Sequence, residues 1–327
     1  MVYNFMKEIW QKQLSNIINN NNYIKIFHTQ KNIKLFLIKE NYKYFSVKIP
    51  HNFIKNIKYN DLNDPILLQF IPCQEETIIY NNYTKNPLNE TYQIPGMLHK
   101  YENRLLILLT GICAIHCRYC FRKNTKNNFY LKNENWNKIL LYIKKNIHIN
   151  EIIFSGGDPL MIQDNKLNNF IKDIVKITHI KILRIHTRMI SILPSRITTN
   201  LLKILQMHTI KIVIVTHINH ANEITLELYK KIILLKNIGI TILNQSVLLK
   251  NINDHPNILI KLSNKLFNIG IIPYYLHILD KVHGSKHFFV SEKKALNIIK
   301  SIKTKLSGFL IPKVVKEIKY QNKKYIC

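Results

Sequence analysis

Short aliphatic runs alternate with stretches of helical periodicity from residue 104 towards the end of the chain. Segments such as NENWNKILLYIKKN and NILIKLSNKLFN repeat apolar residues every three or four positions, which is typical of amphipathic helices. Between such segments lie the predicted strands RLLILL from Arg104, EIIF from Glu151, KILRI from Lys181, IKIVIV from Ile210, ITIL from Ile240 and IIPYYLHIL from Ile271. After a longer first interval the strands begin about 30 residues apart, which is the length of a βα unit. The pattern predicts an α/β fold and favours a partial barrel of about six βα units over a doubly wound open sheet.

Residues 1–100 have a different character, because they are rich in Asn, Lys and Tyr. Stretches such as NFMKEIWQKQLSNII show helical periodicity, and the Asn-rich run NIINNNNYIK is predicted to be an exposed loop. We therefore divide the chain into a mainly helical N-terminal extension (1–100), a barrel (101–310) and a short C-terminal tail (311–327), which we expect to close the active site at the mouth of the barrel.

Composition limits the classes of protein that fit. With 327 residues and 46% hydrophobic content, the chain is long enough to bury a full core. A formal charge of +29 is typical of nucleic-acid binding, but lysines are abundant along the whole chain, so we attribute the charge to a general bias. The apolar stretch Leu105–Ile115 is shorter than the roughly 20 residues of a membrane span. Five cysteines, an odd number, and the lack of a leader sequence predict a reducing cytoplasm.

Polar and reactive residues follow each predicted strand. They are Cys113 with two neighbouring cysteines, SGGDP at Ser155–Pro159, HTR at His186–Arg188, THINH at Thr216–His220, NQS at Asn244–Ser246, and Asp280. In parallel barrels the carboxyl ends of the strands carry the active site, because the loops there converge on the mouth of the barrel. The pattern predicts one site at that end, and the alternative is that these residues only mark loops.

Three cysteines in the segment LLTGICAIHCRYCFRK, namely Cys113, Cys117 and Cys120, have the spacing C-x3-C-x2-C. A structural zinc site takes four ligands, and no second C-x2-C or His pair at such spacing occurs in the chain. Three thiolates suit a four-iron cluster that keeps one iron open for a small molecule. We therefore expect an iron–sulfur site, with zinc binding or a chance spacing as the alternatives.

The cysteine spacing, with an aromatic residue directly before Cys120, resembles that of the radical S-adenosylmethionine superfamily. The resemblance implies that the three cysteines hold a [4Fe–4S] cluster on the loop after the first barrel strand. It also implies that Ser155, Gly156, Gly157 and Asp158 bind the methionine part of S-adenosylmethionine, since glycines let a ligand approach the backbone closely.

A narrower resemblance extends over residues 95–327. The stretches SGGDPL, LRIHTRMISILPSRIT, THINHANE, NQSVLLKNIND and PYYLHILDKVHGSKHF are similar to those of the lysine 2,3-aminomutase family, and SGFLIPKVVKEI is similar to its branch that acts with elongation factor P. The resemblance implies an isomerase that converts free L-α-lysine to β-lysine by a 1,2-amino migration, with pyridoxal 5′-phosphate as a further cofactor. It also implies an electron donor of the flavodoxin or ferredoxin type, and a functional link to elongation factor P and its lysyl-transferring ligase.

The family binds pyridoxal phosphate on a lysine near the C-terminus, and counting without gaps from Glu317 places that lysine at Lys324. Lys323 is the alternative, because the residues around the family lysine differ in this chain. Arg122 lies where the family uses an arginine for the substrate carboxylate, and its planar fork suits bidentate binding. Asp280 and Glu317 match acidic positions that bind the distal ammonium of lysine in the family. The alternative for Asp280 is a salt bridge with Lys281 or a helix cap, and the alternative for Glu317 is a solvated charge.

The remaining residues at the strand ends are predicted to bind the cofactors, with a hydrogen-bonding role in the core as the alternative for each. They are Arg188, His217, Asn219, His220, Asn244 and Gln245.

Two rival functions are compatible with the cysteine motif, namely a radical enzyme that modifies tRNA or rRNA and a non-catalytic iron–sulfur or zinc-binding interaction module. Cys73 and Cys327 have no motif partners and are expected to be ordinary thiols.

Overall fold

Among the residues that the computed structural model describes, nine strands form one sheet and two short strands form a separate antiparallel pair. The structure describes residues 8–20, 22–31, 45–124, 129–206 and 209–318, and the backbone of 324–326. The strands are β1 (Ile17–Asn19), β2 (Lys48–Pro50), β3 (Met97–Tyr101), β4 (Arg104–Thr110), β5 (Glu151–Gly156), β6 (Ile182–Thr187), β7 (Lys211–Thr216), β8 (Thr241–Leu248), β9 (Ile272–Ile278), β10 (Lys313–Glu317) and β11 (Lys324–Ile326). The α-helices are α1 (Ile9–Ser15), α2 (Tyr23–Lys31), α3 (Leu67–Phe70), α4 (Asn133–Lys145), α5 (Asp164–Val175), α6 (Met189–Ile192), α7 (Thr199–Gln206), α8 (Leu226–Asn237), α9 (Pro256–Asn268) and α10 (Glu292–Lys303).

The order of the large sheet is β11-β10-β9-β8-β7-β6-β5-β4-β3. The strands from β4 to β10 are parallel, and β3 and β11 extend the two edges in antiparallel pairing. Consecutive strands are neighbours throughout, whereas a doubly wound sheet reverses its strand order at a switch point. Within the described residues β3 and β11 do not pair with each other, so the barrel is open. The predicted partial barrel is confirmed, with one more parallel strand than expected.

Helices connect the parallel strands and pack on the sheet through apolar stripes. In α4 the buried residues Trp136, Ile139 and Ile143 recur at intervals of three and four, so they share one face of the helix. That face reaches the sheet, where the rings of Trp136 and Phe154 lie 6.4 Å apart. Because every connection returns the chain in the same direction, the carboxyl ends of the parallel strands lie on one rim. No helix in the described part of the chain is long and apolar enough to cross a membrane.

The N-terminal segment shares the hydrophobic core of the barrel. Trp10 of α1 and both Tyr23 and Phe27 of α2 are buried in the same apolar cluster as the strands. The Asn-rich run that we predicted to be an exposed loop instead contains β1. That prediction is wrong because Ile18 is buried and pairs with Ile49 of β2, so the apolar residues within the run outweigh its polar composition.

The C-terminal segment contributes β10 and β11 to the sheet. β10 runs parallel to β9, and β11 returns antiparallel to it, so that Glu317 is the backbone partner of Lys324. The sequence analysis did not identify β10, since KVVKE contains only two apolar residues. The register places Lys324 at the carboxyl end of β10, which is the rim that carries the other predicted site residues.

Candidate active site at the carboxyl ends of the strands

Three thiols lie on the loop that follows β4. Cys113, Cys117 and Cys120 are partly buried, and the Cys120 N–H donates to the Cys117 carbonyl oxygen at 3.1 Å. Burial raises the pKa of the Cys113 thiol, and the negative charges of Cys120 and Asp158 raise it further. Burial likewise raises the pKa of Cys120 to about 11, with a contribution from Cys117. Thiols release their protons when they bind a metal, and three such donors on one loop suit the donor chemistry of an iron–sulfur cluster.

Gly156 and Gly157 pack directly against the cysteine loop. Gly156 has a φ of +132°, and a Cβ atom there would lie 2.2 Å from the Thr110 carbonyl oxygen. A Cβ at Gly157 would lie 2.4 Å from the Ile112 carbonyl oxygen. The N–H groups of Gly157 and Asp158 donate to these two carbonyls at 2.6 and 2.8 Å. The glycines therefore admit the cysteine loop itself, and their role towards S-adenosylmethionine stays a prediction.

The Asp158 carboxylate joins the ends of β5 and β6. It accepts hydrogen bonds from the Thr187 hydroxyl at 2.7 Å and from the N–H groups of Leu160, Arg188 and Met189 at 3.0, 2.8 and 2.8 Å. Burial raises the pKa of this carboxyl above its usual value, and the surrounding donors oppose that shift. In this structure Asp158 organises the backbone that carries Arg188.

Arg188 follows β6 and reaches the cysteine loop. Its Nη1 donates to Cys117 Sγ at 2.9 Å and to the Tyr119 hydroxyl. Its Nη2 donates to Gln69 Oε1 and to Glu223 Oε2, each at 2.8 Å. The Glu223 side chain is fully buried, so this is an internal ion pair with additional hydrogen bonds. We predicted Arg188 as a cofactor-binding residue, and in this structure its fork is bound by the protein.

Tyr119 lies at the centre of the same polar network. Its hydroxyl donates to Gln69 Oε1 at 3.3 Å, accepts from Asn219 Nδ2 at 2.6 Å and lies 3.1 Å from His217 Nε2. The rings of Tyr119 and His217 stack with centroids 5.9 Å apart. Burial lowers the pKa of His217 well below its usual value, and the charge of Arg188 lowers it further. His217 is therefore a neutral imidazole near pH 7.

Arg122 lies just after the cysteine loop and binds a carboxylate of the protein itself. Its Nε and Nη2 donate to the two oxygens of Glu90 at 2.9 and 2.6 Å, and Nη1 donates to the Gly156 carbonyl oxygen at 3.2 Å. The guanidinium also lies over the Phe121 ring, 4.6 Å from its centroid. Burial favours the neutral form of Glu90, but the charge and hydrogen bonds of Arg122 outweigh it and lower the pKa of that carboxyl. Arg122 thus binds the Glu90 carboxylate in a bidentate way, and its role towards the substrate carboxylate stays a prediction.

The two acids predicted to bind the distal ammonium both lie at the rim. Asp280 follows β9 and is partly buried. Glu317 ends β10, and its Oε2 lies 3.2 Å from Lys100 Nζ. The side chain of Lys324 and the whole of Lys323 lie outside the described residues. Both lysines therefore remain predictions for the pyridoxal phosphate site.

Four other predicted residues lie on or next to neighbouring strands. The NQS segment was predicted to follow its strand but lies within β8, which extends to Leu248. Asn244 accepts from the Ile218 N–H at 2.9 Å and donates to the Ile218 carbonyl oxygen at 3.0 Å, which joins the middle of β8 to the segment after β7. His220 Nδ1 accepts the N–H of the residue two positions later at 3.2 Å and caps a short 3₁₀ helix. Ser155 is buried in β5, and Gln245 is partly buried in β8. Asn244 thus has a hydrogen-bonding role in the core and His220 caps a short helix nearer the surface, and cofactor binding by these four residues stays a prediction.

Cys73, Glu76 and His287 bring three potential metal-ligand atoms within 4.8 Å of one another. Both oxygens of Glu76 are bound by Arg118, from Nε at 2.8 Å and Nη2 at 2.5 Å. The Lys123 ammonium adds a second positive charge beside Glu76. We assign no metal to this group because two cations already neutralise its carboxylate. Burial raises the pKa of Cys73 to about 12, as expected for an inert thiol.

Sequence reasoning missed four residues that the structure brings to the site: Gln69, Glu90, Lys100 and Glu223. Only 19 residues of the chain are acidic, so Glu223, three residues after the THINH segment, and Glu90 could have been noticed by their rarity. Gln69 and Lys100 carried no such signal. Gln69 lies 119 residues from Arg188 in the sequence, and only the packing of the N-terminal segment brings them together.

Comparisons with known proteins agree with this architecture. The profile of the Radical SAM superfamily matches residues 107–262, which include the cysteine loop, the paired glycines and Arg188. Three relatives are each described as an L-lysine 2,3-aminomutase. The protein of Buchnera aphidicola is 48% identical over 97% of this chain and 95% of its own length. Those of Escherichia coli and Haemophilus influenzae are 39% and 43% identical, over 95% and 83% of this chain and 92% and 81% of their own lengths.

The open parallel barrel, the cysteine loop and the superfamily profile together define a radical S-adenosylmethionine protein. Within that superfamily, the chain belongs to the lysine 2,3-aminomutase family, as the resemblance in its motifs implied. The family uses a [4Fe–4S] cluster, S-adenosylmethionine and pyridoxal 5′-phosphate. The three thiols of the cysteine loop are suitable ligands for the [4Fe–4S] cluster.

Proposed function

We propose that the protein converts free L-α-lysine to β-lysine by moving the α-amino group to the β-carbon. The relatives described as L-lysine 2,3-aminomutases support this, since the first two match more than nine-tenths of this chain and of their own lengths. The observation that carries the proposal is a pair of oppositely charged binding groups on one rim, Arg122 and Glu317. Their charges are complementary to the two ends of a lysine molecule.

Both groups bind protein side chains that resemble parts of lysine. Arg122 holds the Glu90 carboxylate, and Glu317 lies beside the Lys100 ammonium. The charge of Lys100 also lowers the pKa of Glu90, so the four groups form a series of alternating sign. A free lysine presents a carboxylate at one end and an ammonium at the other. Its carboxylate can therefore replace Glu90 at Arg122, and its ammonium can replace Lys100 at Glu317. The released Glu90 and Lys100 carry opposite charges and can pair with each other. This arrangement favours an amino acid with a distal cation.

The residues of the chain then have distinct tasks. Arg122 binds the substrate carboxylate through its planar fork, and Asp280 and Glu317 bind the distal ammonium. Lys324 binds pyridoxal phosphate, and the cysteine loop holds the cluster. When bound, the cluster and S-adenosylmethionine would supply the radical chemistry, and pyridoxal phosphate would hold the amino group that moves. The barrel walls around the rim limit the access of water to the reacting carbon.

We place this reaction in the cytoplasm, upstream of the modification of elongation factor P. The segment SGFLIPKVVKEI, which ends in β10, supports the link to the elongation factor branch of the family. An electron donor of the flavodoxin or ferredoxin type would reduce the cluster. The reaction itself uses a free amino acid, and it involves neither nucleic acid nor membrane.

The test is to supply anaerobic protein with iron, sulfide, S-adenosylmethionine, pyridoxal phosphate and dithionite, and to measure β-lysine formed from L-lysine. Norleucine is the matched control, because it has the same carbon chain and lacks the distal ammonium. We expect conversion of lysine only, and only with pyridoxal phosphate present. A protein that cleaves S-adenosylmethionine but makes no β-lysine would contradict the proposal and favour an enzyme that modifies tRNA or rRNA.

A further inference from the structure

Arg188 is held so that it must face the cysteine loop. Glu223 Oε1 accepts the backbone N–H groups of Asn219 and His220 at 2.9 and 3.0 Å, so the carboxylate is fixed by the backbone after β7. Its Oε2 accepts from Arg188 Nη2. Turning the guanidinium away would leave a buried carboxylate without its cation, which is strongly unfavourable.

The resulting ion pair has a defined orientation. Nη2 of Arg188 points to Glu223, whereas Nη1 points to Cys117 Sγ at 2.9 Å. The Arg188 guanidinium therefore lies nearer Cys117 Sγ than the Glu223 carboxylate does. Both side chains are almost completely buried, with 8% and 0% of their surface exposed, so water screens this arrangement little.

The fork of Arg188 is also unsuited to binding a substrate carboxylate. Both terminal nitrogens donate to protein acceptors, namely Cys117, Tyr119, Gln69 and Glu223. Its Nε is buried and has no hydrogen-bond acceptor in the described residues. These contacts point to a role towards the sulfur ligand and not towards the substrate.

We propose that Arg188 is a positioning residue that raises the reduction potential of the cluster through Cys117. Reduction adds one electron, taken from an external donor, to a cluster already bound by three thiolates. A hydrogen bond to a ligand sulfur and a nearby cation stabilise the added negative charge, so they favour the reduced form. The inference rests on the cluster and is independent of the identity of the substrate.

The experiment measures the midpoint potential of the cluster in the full-length, anaerobically reconstituted protein. The signal of the reduced cluster is followed by electron paramagnetic resonance during a redox titration, without S-adenosylmethionine, pyridoxal phosphate or lysine. The variants are Arg188→Met, which removes charge and hydrogen bond, and Arg188→Lys, which keeps the charge on a shorter side chain. The matched control is Arg184→Met, because Arg184 also lies in the β6 region and pairs with a carboxylate, Glu151, with 10% and 14% of the two side chains exposed.

We expect a midpoint more negative than that of the wild type in Arg188→Met, a smaller shift of the same sign in Arg188→Lys, and no shift in Arg184→Met. Equal midpoints in Arg188→Met and Arg184→Met would overturn the proposal. If Arg188→Met does not take up iron, Arg188→Lys decides, and a wild-type midpoint in that variant overturns it. Loss of iron from both Arg188 variants, with Arg184→Met fully loaded, also overturns it, since Arg188 would then serve only the structure of the loop.

Discussion

Arg188 and Arg122 flank the same cysteine loop, yet their surroundings differ. The ion pair of Arg188 and Glu223 is almost completely buried, and further hydrogen bonds from the backbone hold the carboxylate. The ion pair of Arg122 and Glu90 keeps 15% and 14% of its side-chain surface exposed. Both terminal nitrogens of Arg188 are thus occupied by the protein, whereas at Arg122 we propose that the substrate carboxylate takes the place of Glu90.

The physical reason for the difference is desolvation. Removing one partner from a buried pair costs on the order of 3–5 kcal/mol, because the remaining charge is left without water or counter-ion. At Arg122 a substrate carboxylate would take the place of Glu90, so the guanidinium would keep a negatively charged partner and this cost would not arise. We therefore expect substitutions around Arg188 to affect the cluster, and substitutions around Arg122 to affect the use of lysine.

The largest expected effect is a loss of iron from the cysteine loop that Arg188 contacts. Replacing Cys117 with alanine removes a ligand of the cluster and the sulfur to which Arg188 donates, so nearly all bound iron should be lost. Iron per chain after anaerobic reconstitution measures this effect. Cys73→Ala is the matched control and should keep its iron, because Cys73 lies outside the cysteine loop. Full iron loading of Cys117→Ala would falsify the assignment of the ligands.

The next effect concerns the cofactor lysine at the rim near Glu317. Lys324→Ala should lose covalently bound pyridoxal phosphate, because a primary amine is needed to hold the aldehyde group of the cofactor. Borohydride reduction of the wild type, followed by peptide mapping, should place the label on Lys324, and Lys323→Ala should keep it. A label on Lys323 would correct the register of the tail. A label outside the tail would contradict the assignment taken from the family.

Asp280→Asn should weaken the use of lysine without affecting iron. Loss of a carboxylate partner for a desolvated ammonium costs on the order of 3–5 kcal/mol, so kcat/KM for lysine should fall roughly 100-fold or more. The gap in kcat/KM between lysine and norleucine should narrow in the variant. Arg122→Lys, which keeps the charge and loses the fork, should be impaired as well. A wild-type rate in Asp280→Asn would make Glu317 the leading candidate for the ammonium site.

The smallest expected effect is at Glu90. Glu90→Gln removes the negative charge that occupies Arg122 and that the substrate carboxylate has to displace, so KM for lysine should fall roughly tenfold with kcat retained, as expected when a hydrogen bond to a charged group no longer has to be given up. The pKa of Glu90 is lowered in the folded protein, so its contribution to stability is present above the pKa of the unfolded chain and is lost as pH falls through the folded value. The wild type should therefore be more stable than Glu90→Gln near pH 7, and the difference in the free energy of unfolding should shrink in acid. An unchanged or raised KM would mean that Glu90 does not compete with the substrate carboxylate for Arg122.

Local patterns were enough for much of the fold. The predicted helix NENWNKILLYIKKN corresponds to α4, and the predicted strand IIPYYLHIL corresponds to β9 within a residue at each end. The Asn-rich run around β1 failed as a prediction, because a strand of three residues depends on its partner β2 and not on its own composition. β10 was missed for the same reason, since its pairing with β9 defines it.

The sequence by itself determined the order of the βα units, the cysteine loop and the family, because periodicity and motif spacing are properties of neighbouring residues. Tertiary structure alone decided which charges meet. Gln69 contacts Glu223 across 154 positions of sequence, and Lys100 reaches Glu317 across 217. Such pairs form only when folding brings distant helices and strands together, because residues so far apart in the sequence give no local signal of their contact.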